Sequence, residues 1–142
     1  MNQFSNFVCF RLGTLSRRIA RYYNNRFAEL GITLGQSFVL FSLLEHDGSN
    51  VKEIANAVQL DSPAVTGLVD RLIKEGLVER REDPGDRRSI QVYLTGNGRQ
   101  IANKAMVIAQ EFNLHMTEDQ DQEFMAAWEK RLEELERIHA KD

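Results

Sequence analysis

The run Gly76-Leu-Val-Glu-Arg-Arg-Glu-Asp-Pro-Gly-Asp-Arg-Arg-Ser-Ile-Gln-Val-Tyr-Leu-Thr-Gly-Asn-Gly98 decides how this chain is read. Pro84-Gly85 is a turn dipeptide, with Leu77-Val78 before it and Ile90, Val92 and Leu94 in strict alternation after it. The segment therefore predicts a β-hairpin with one packed face and a wet tip. At the tip Asp86 directly precedes Arg87 and Arg88. A carboxylate there can orient a guanidinium that would otherwise lose rotamer entropy on engaging a target. Paired arginines on a narrow ribbon suit a phosphate-lined groove. Taken alone, such a hairpin reads first as a solvated turn whose charges keep it soluble. What precedes it reverses that reading.

Upstream, Val51, Ile54, Ala55 and Val58 are spaced as one face of a short helix, opened by Asn50 and Glu53 as a capping pair. After a break at Gln59 to Asp61, Ser62 is placed as the cap of a second helix and Pro63 as its first residue, where a missing N–H costs nothing. Val65, Leu68, Val69 and Leu72 share one face of that helix. Pro63, Ala64, Thr66, Gly67, Asp70, Arg71 and Lys74 are left on the other, and Gly76 ends it. Two short helices followed by a basic hairpin make a winged helix-turn-helix, whose second helix enters the major groove of DNA. Small residues in its first turn allow close approach to the duplex, and Ser62 and Thr66 offer hydroxyls to bases or phosphates.

Residues 51–94 carry a family resemblance. Gly-Leu-Val-Glu-Arg-Arg, Asp-Pro-Gly-Asp-Arg-Arg and Leu-Thr-x-x-Gly resemble the multiple-antibiotic-resistance-regulator (MarR) family of bacterial transcription factors, most densely over residues 33 to 100. The resemblance implies a wing that reaches into the minor groove, Arg88 as the inserting arginine in an Asp-x-Arg pattern with Asp86, and Arg87 as its helper. Two positions depart from the family pattern: Gln59 where glycine is common, and Gly67 where a polar or basic residue is frequent.

The chain has 142 residues, 42% of them hydrophobic, which is enough for one compact domain. We expect a single unit over 1–142, mainly α with a small β-hairpin wing. Within it, residues 33–95 would form the winged helix-turn-helix DNA-binding lobe, and 1–32 with 96–142 a helical dimerisation region. No apolar run approaches the roughly 20 residues that span a bilayer, and Met1 to Leu15 lacks a signal-peptide layout. The expectation is a cytoplasmic protein without membrane association. A net charge of −3 looks wrong for a DNA binder until it is divided. Met1 to Ala28 holds five arginines and no acid, whereas Ala105 to Asp142 holds four bases against ten acids. The acidity is therefore terminal, and the centre is free to be basic.

The ends read as a dimerisation module. Phe4, Val8, Leu12, Leu15, Ile19, Tyr22, Phe27 and Leu30 stripe a long first helix. Thr95 caps a helix carrying Ile101, Ala105, Ile108 and Phe112. Thr117 and Gln120 make a capping box before a last helix of Phe124, Trp128, Leu132, Leu135 and Ile138. Intramolecular core is the plain reading of these stripes, while the resemblance implies terminal helices interlaced across a two-fold axis. A homodimer would present two recognition helices to a pseudo-palindromic site.

Thr33 and Gln36 cap a further helix of Phe38, Val39, Phe41, Leu43 and Leu44. The resemblance implies a small-molecule effector between the two lobes, for which Arg17, Tyr23, Phe38 and His46 are the candidates, and a repressor that the effector relieves. Cys9-Phe10 resembles the peroxide-sensing branch of the family, and Tyr23 falls where that branch keeps a thiol-bonding tyrosine. The branch's other tyrosine is Gly13 here. A lone cysteine cannot close an intramolecular disulfide, and on a packed face it is more often an inert small hydrophobe.

No enzyme reading gains a foothold. His46, His115 and His139 have no second ligand at helical spacing, and there is no glycine-rich phosphate loop or nucleophile elbow. Neither catalytic residues, metal nor cofactor is expected. The serious alternative is a winged-helix module that binds protein or RNA instead of double-stranded DNA.

Overall fold

A computed structural model describes residues 3–138. In chain order it contains α1 (Val8–Phe27), α2 (Leu34–Glu45), β1 (Ser49–Asn50), α3 (Val51–Val58), α4 (Ser62–Lys74), β2 (Val78–Asp83), β3 (Asp86–Leu94), α5 (Gly96–Thr117) and α6 (Gln122–Ile138). The protein is mainly helical with one small antiparallel sheet, ordered β1-β3-β2, as the winged-helix reading requires. Two compact units divide the chain, one ending at Ile108 and the other starting at Ala109, with the boundary inside α5.

Local chemistry explains most boundaries of the first unit. Thr33 and Gln36 close a reciprocal capping box on α2, and Asn50 and Glu53 close another on α3. Thr95 Oγ1 accepts the Gly98 N–H at 2.9 Å to open α5. Gly76 follows α4 with φ 71, the left-handed conformation that ends a helix cheaply only at glycine. Gln59 does the same after α3 at φ 57 without that freedom, and its own side-chain amide donates to Asn56 O at 2.9 Å. This is the position where the family resemblance leads one to expect glycine.

Four expectations are corrected. The cap of α4 is Asp61, whose Oδ1 accepts the Ala64 N–H at 2.7 Å; Ser62 is already helical and Pro63 lies within the first turn. Both Asp61 and Ser62 are good caps, and the helix starts at the earlier one. Thr117 does not open the last helix: it ends α5, its hydroxyl donating to Asn113 O, and Asp121 Oδ1 caps α6 through the Phe124 N–H. The first stripe is not one helix, because short 3-10 turns at Phe4–Asn6 and Ala28–Leu30 flank α1. Ile90, read as part of the packed alternation, is half exposed.

The core of the first unit is closed by Phe27 from α1, Val39, Leu40 and Leu43 from α2, Ile54 from α3, Val65, Val69 and Leu72 from α4, Val92 from β3 and Ala102 and Ala105 from α5, all without exposed surface. Burial of this kind is the main source of folding free energy. Its buried polar groups are satisfied: Ser37 Oγ donates to Leu34 O at 2.6 Å, and the Gln36 amide donates to the Glu75 carboxylate at 3.3 Å. Gly98 marks the tightest packing. A Cβ there would stand 1.8 Å from Leu77 O, so the start of α5 presses directly on the backbone between α4 and the wing. Thr95 seals the same seam, its hydroxyl donating to Gly76 O at 2.7 Å.

The terminal stripes behave differently. On α1 only Phe27 is buried, while Val8, Leu12 and Leu15 are exposed. In the second unit no residue of α6 is buried, and Phe124, Trp128, Leu132 and Ile138 are exposed. Among the described residues no single helix is long and apolar enough to cross a membrane.

Candidate nucleic-acid interface

The sequence places small and polar residues on one face of α4, and the structure leaves that face open. Ser62, Pro63, Ala64, Thr66, Gly67, Asp70, Arg71 and Lys74 are all exposed, while Val65, Val69 and Leu72 face the core. No atom approaches the position a Cβ would take at Gly67. Arg71 and Lys74 fall in the last turn, and the first turn carries no acid beyond the capping Asp61. That first turn therefore presents small side chains and the Thr66 hydroxyl to the outside, the chemistry a helix uses against a duplex.

Asp70 has a defined partner. Arg80 Nη2 of β2 donates to its Oδ1 at 2.6 Å, tying the wing to the exposed face of α4. Sequence reasoning grouped Asp70 with the DNA contacts and passed over Arg80. Alternation along β2 could have found it, since it puts Arg80 on the face of Val78 and Arg81 on the other. Arg81 pairs with Glu79 and stacks its guanidinium 4.5 Å from the centre of the Tyr93 ring. Tyr93 in turn donates to Gln91 Oε1 at 2.8 Å. The two arginines of the wing's first strand are thus engaged within the fold.

The two arginines of the second strand are not. The β2–β3 ladder runs regularly from Val78↔Leu94 to Glu82↔Ile90 and then jumps to Asp83↔Asp86. Arg87, Arg88 and Ser89 lie in the intervening bulge, a device that turns side chains away from the regular pleat. Two carboxylates hold the tip: Asp83 Oδ1 accepts the Gly85 N–H at 2.9 Å, and Asp86 Oδ1 accepts the Arg88 N–H at 2.9 Å. Asp86 was expected to orient a guanidinium; it orients the Arg88 backbone instead. Both guanidiniums are exposed, with no hydrogen bond or ion pair among the described residues.

The candidate effector residues are scattered over two helices. Arg17 on α1 donates to Thr14 Oγ1 at 3.3 Å, and Tyr23 packs its ring against Phe27 at 5.3 Å. Burial pushes the Tyr23 phenol above its usual pKa, and the neighbouring Tyr22 adds to the effect. Phe38 on α2 is exposed, as is His46 at the α2 C-cap. Cys9 is exposed in the first turn of α1, not on a packed face of the single chain as expected. Among the described residues no three His, Cys, Asp or Glu side chains are grouped to hold a metal ion; His139 lies outside the described residues.

Comparison with known proteins agrees with this geometry. The sequence profile of the MarR family matches residues 32–90. The chain is 33% identical over 103 residues to the organic hydroperoxide resistance transcriptional regulator of Bacillus subtilis, covering 72% of this chain and 70% of that one. It is 31% identical over 118 residues to the HTH-type transcriptional regulator SarZ of Staphylococcus epidermidis, covering 80% of each. Among solved structures, the S. aureus MepR–DNA complex superposes with a TM-score of 0.88 over 96% of this chain and 99% of that one. At 20% identity that likeness establishes the fold.

Proposed function

Starting from the fact that this chain belongs to the MarR family of DNA-binding transcriptional regulators, we propose that it acts as a homodimeric repressor of a pseudo-palindromic operator. In this reading residues 33–95 are the DNA-binding lobe, and 1–32 with 96–142 supply the dimerisation region. Ser62, Pro63, Ala64, Thr66, Gly67 and Arg71 of α4 meet the major groove, Lys74 meets phosphate, and Arg88 enters the minor groove beside Arg87. The observation that carries the reading is the bulge: two exposed, unpaired arginines on a tip whose backbone is held by Asp83 and Asp86. A preformed tip binds without the full entropy loss of ordering a flexible loop. Support for the dimer comes from the exposed large apolar residues of α1 and α6, Val8, Leu12 and Leu15 on one and Phe124, Trp128, Leu132 and Ile138 on the other, which recur along each helix where scattered single ones would need no explanation.

Asp86→Ala tests the tip directly. Electrostatics alone would have the loss of a negative charge strengthen DNA binding. If Asp86 holds the bulge, the variant binds more weakly at fixed salt; affinity equal to or above wild type would reduce the hairpin to a solvated basic turn. Relief by a small-molecule effector is tested by footprinting the chain on DNA around its own gene with and without aromatic acids, where an unchanged footprint removes that part of the reading.

A second reading attaches to Cys9, because its thiol is exposed and a relative at 33% identity is named for organic hydroperoxide resistance. It predicts that hydroperoxide releases wild type from DNA and leaves Cys9→Ser bound. Oxidant-treated wild type that stays on its duplex rejects it.

A further inference from the structure

The turn between α2 and β1 makes two attachments to β3 at the root of the wing and a third to α5. Gly48 N–H donates to Val92 O at 3.0 Å. Asp47 Oδ1 accepts the Leu94 N–H at 2.8 Å, and Asp47 Oδ2 accepts from Arg99 Nη2 at 2.7 Å. One carboxylate therefore joins the end of α2, the last residue of β3 and the first turn of α5. The turn is shaped to permit this. Gly48 has φ +82, and a Cβ on it would lie 2.8 Å from the Tyr93 ring. The Asp47 side chain is 30% exposed at the root of the wing, far along the strand from the tip arginines.

We propose that Asp47 is a positioning residue for DNA binding: by holding Leu94 and Arg99 with its two carboxylate oxygens, it fixes the line along which β3 carries Arg87 and Arg88 to the duplex. The inference rests on the role proposed above for those arginines. β3 is the central strand, paired to β1 on one side and β2 on the other, so whatever fixes its end fixes the hairpin. A carboxylate that takes a backbone N–H and a guanidinium together is a stronger fastening than a neutral bond. At about 3.3 Å per residue the tip stands about 20 Å from Leu94. A rocking motion of about 10° at the root would then shift a tip guanidinium by roughly 3 Å, beyond the tolerance of a hydrogen bond.

The test uses a duplex selected by the wild-type chain from a random-sequence library, with affinity measured across a salt series. Asp47 is negative, so a purely electrostatic role predicts tighter binding for Asp47→Ala and an unchanged salt slope. Positioning predicts the reverse. Asp47→Ala binds about tenfold more weakly, the size of one charge-assisted bond. Its salt slope falls by about one although no cation has been removed. On an Arg88→Ala background the same substitution adds less than about twofold, because the contact it positions is already gone. Asp47→Asn keeps an acceptor for Leu94 but releases Arg99; it shows a smaller loss with the same dependence on Arg88, and it carries the test should Asp47→Ala not fold. Affinity for Asp47→Ala at or above wild type overturns the proposal, as does an undiminished loss on the Arg88→Ala background. If Arg88→Ala alone binds like wild type, the reading of the wing itself fails, which is a separate and recognisable outcome.

Discussion

The wing with α4 and the terminal helices α1 and α6 both expose many side chains, but of opposite kinds. Around α4 and the hairpin the exposed groups are mainly polar or charged, with Ile90 and Leu60 the large apolar exceptions, and the core beneath them is closed within one chain. Along α1 and α6 the exposed groups include Val8, Leu12, Leu15, Phe124, Trp128 and Leu132. The first pattern is that of a surface facing a polar target over a core that Phe27 of α1 and Ala102 and Ala105 of α5 help to close. The second is that of helices whose apolar faces remain to be covered.

The difference can be broken most forcefully at the closed core. Gly98→Val would drive a side chain into Leu77 O, and we expect a loss of about 3 kcal/mol or more, read as a collapse of the thermal transition. A Gly98→Val chain that melts like wild type would mean that the seam between α5 and the wing root is soft. Next in size are Leu12→Asp and Trp128→Asp, which put a charge on the terminal stripes. Each should weaken self-association about a hundredfold or more and leave the wing lobe's secondary structure unchanged by circular dichroism. Unaltered association would place the interface elsewhere. Arg88→Ala should cost on the order of 1 to 3 kcal/mol in DNA affinity and relax preference at the site's A·T flanks, without changing stability. The smallest effect sharpens the comparison from inside the lobe. Gln59→Gly relieves a left-handed backbone and should raise stability by about 0.5 kcal/mol in denaturant unfolding; a loss instead would mean that the Gln59–Asn56 bond outweighs the strain.

These two regions were also unequally legible. The lobe's caps at Thr33, Asn50 and Thr95 are local, three-residue chemistry, and the structure forms each of them as read. The motif Leu94-Thr95-x-x-Gly98 carried a family resemblance before its physical cause was visible, namely the contact of Gly98 with Leu77 O. What the sequence hid depends on distant partners. β1 is two residues long, too short for any alternation, and exists because Ser49 and Asn50 pair with β3. Asp47 looks like an ordinary turn residue until Leu94 and Arg99 arrive beside it from the other end of the lobe. Ile90 keeps the alternation of Val92 and Leu94 and pairs regularly with Glu82, yet ends half exposed, and the bulge at 87–89 begins just beyond it; neither is written in the local sequence. Where two caps stand in line, as Asp61 and Ser62 do, propensity cannot choose between them. For the terminal helices periodicity gave the stripes, but not whether the chain covers them itself.

Sedimentation velocity of the wild-type chain, alone and with a selected duplex, separates the two regions most directly. If the terminal faces are covered by a second copy and the lobe supplies one half-site reader per chain, the protein sediments as a dimer at micromolar concentration and two chains bind each duplex. A monomer that stays monomeric and binds one chain per duplex would contradict this.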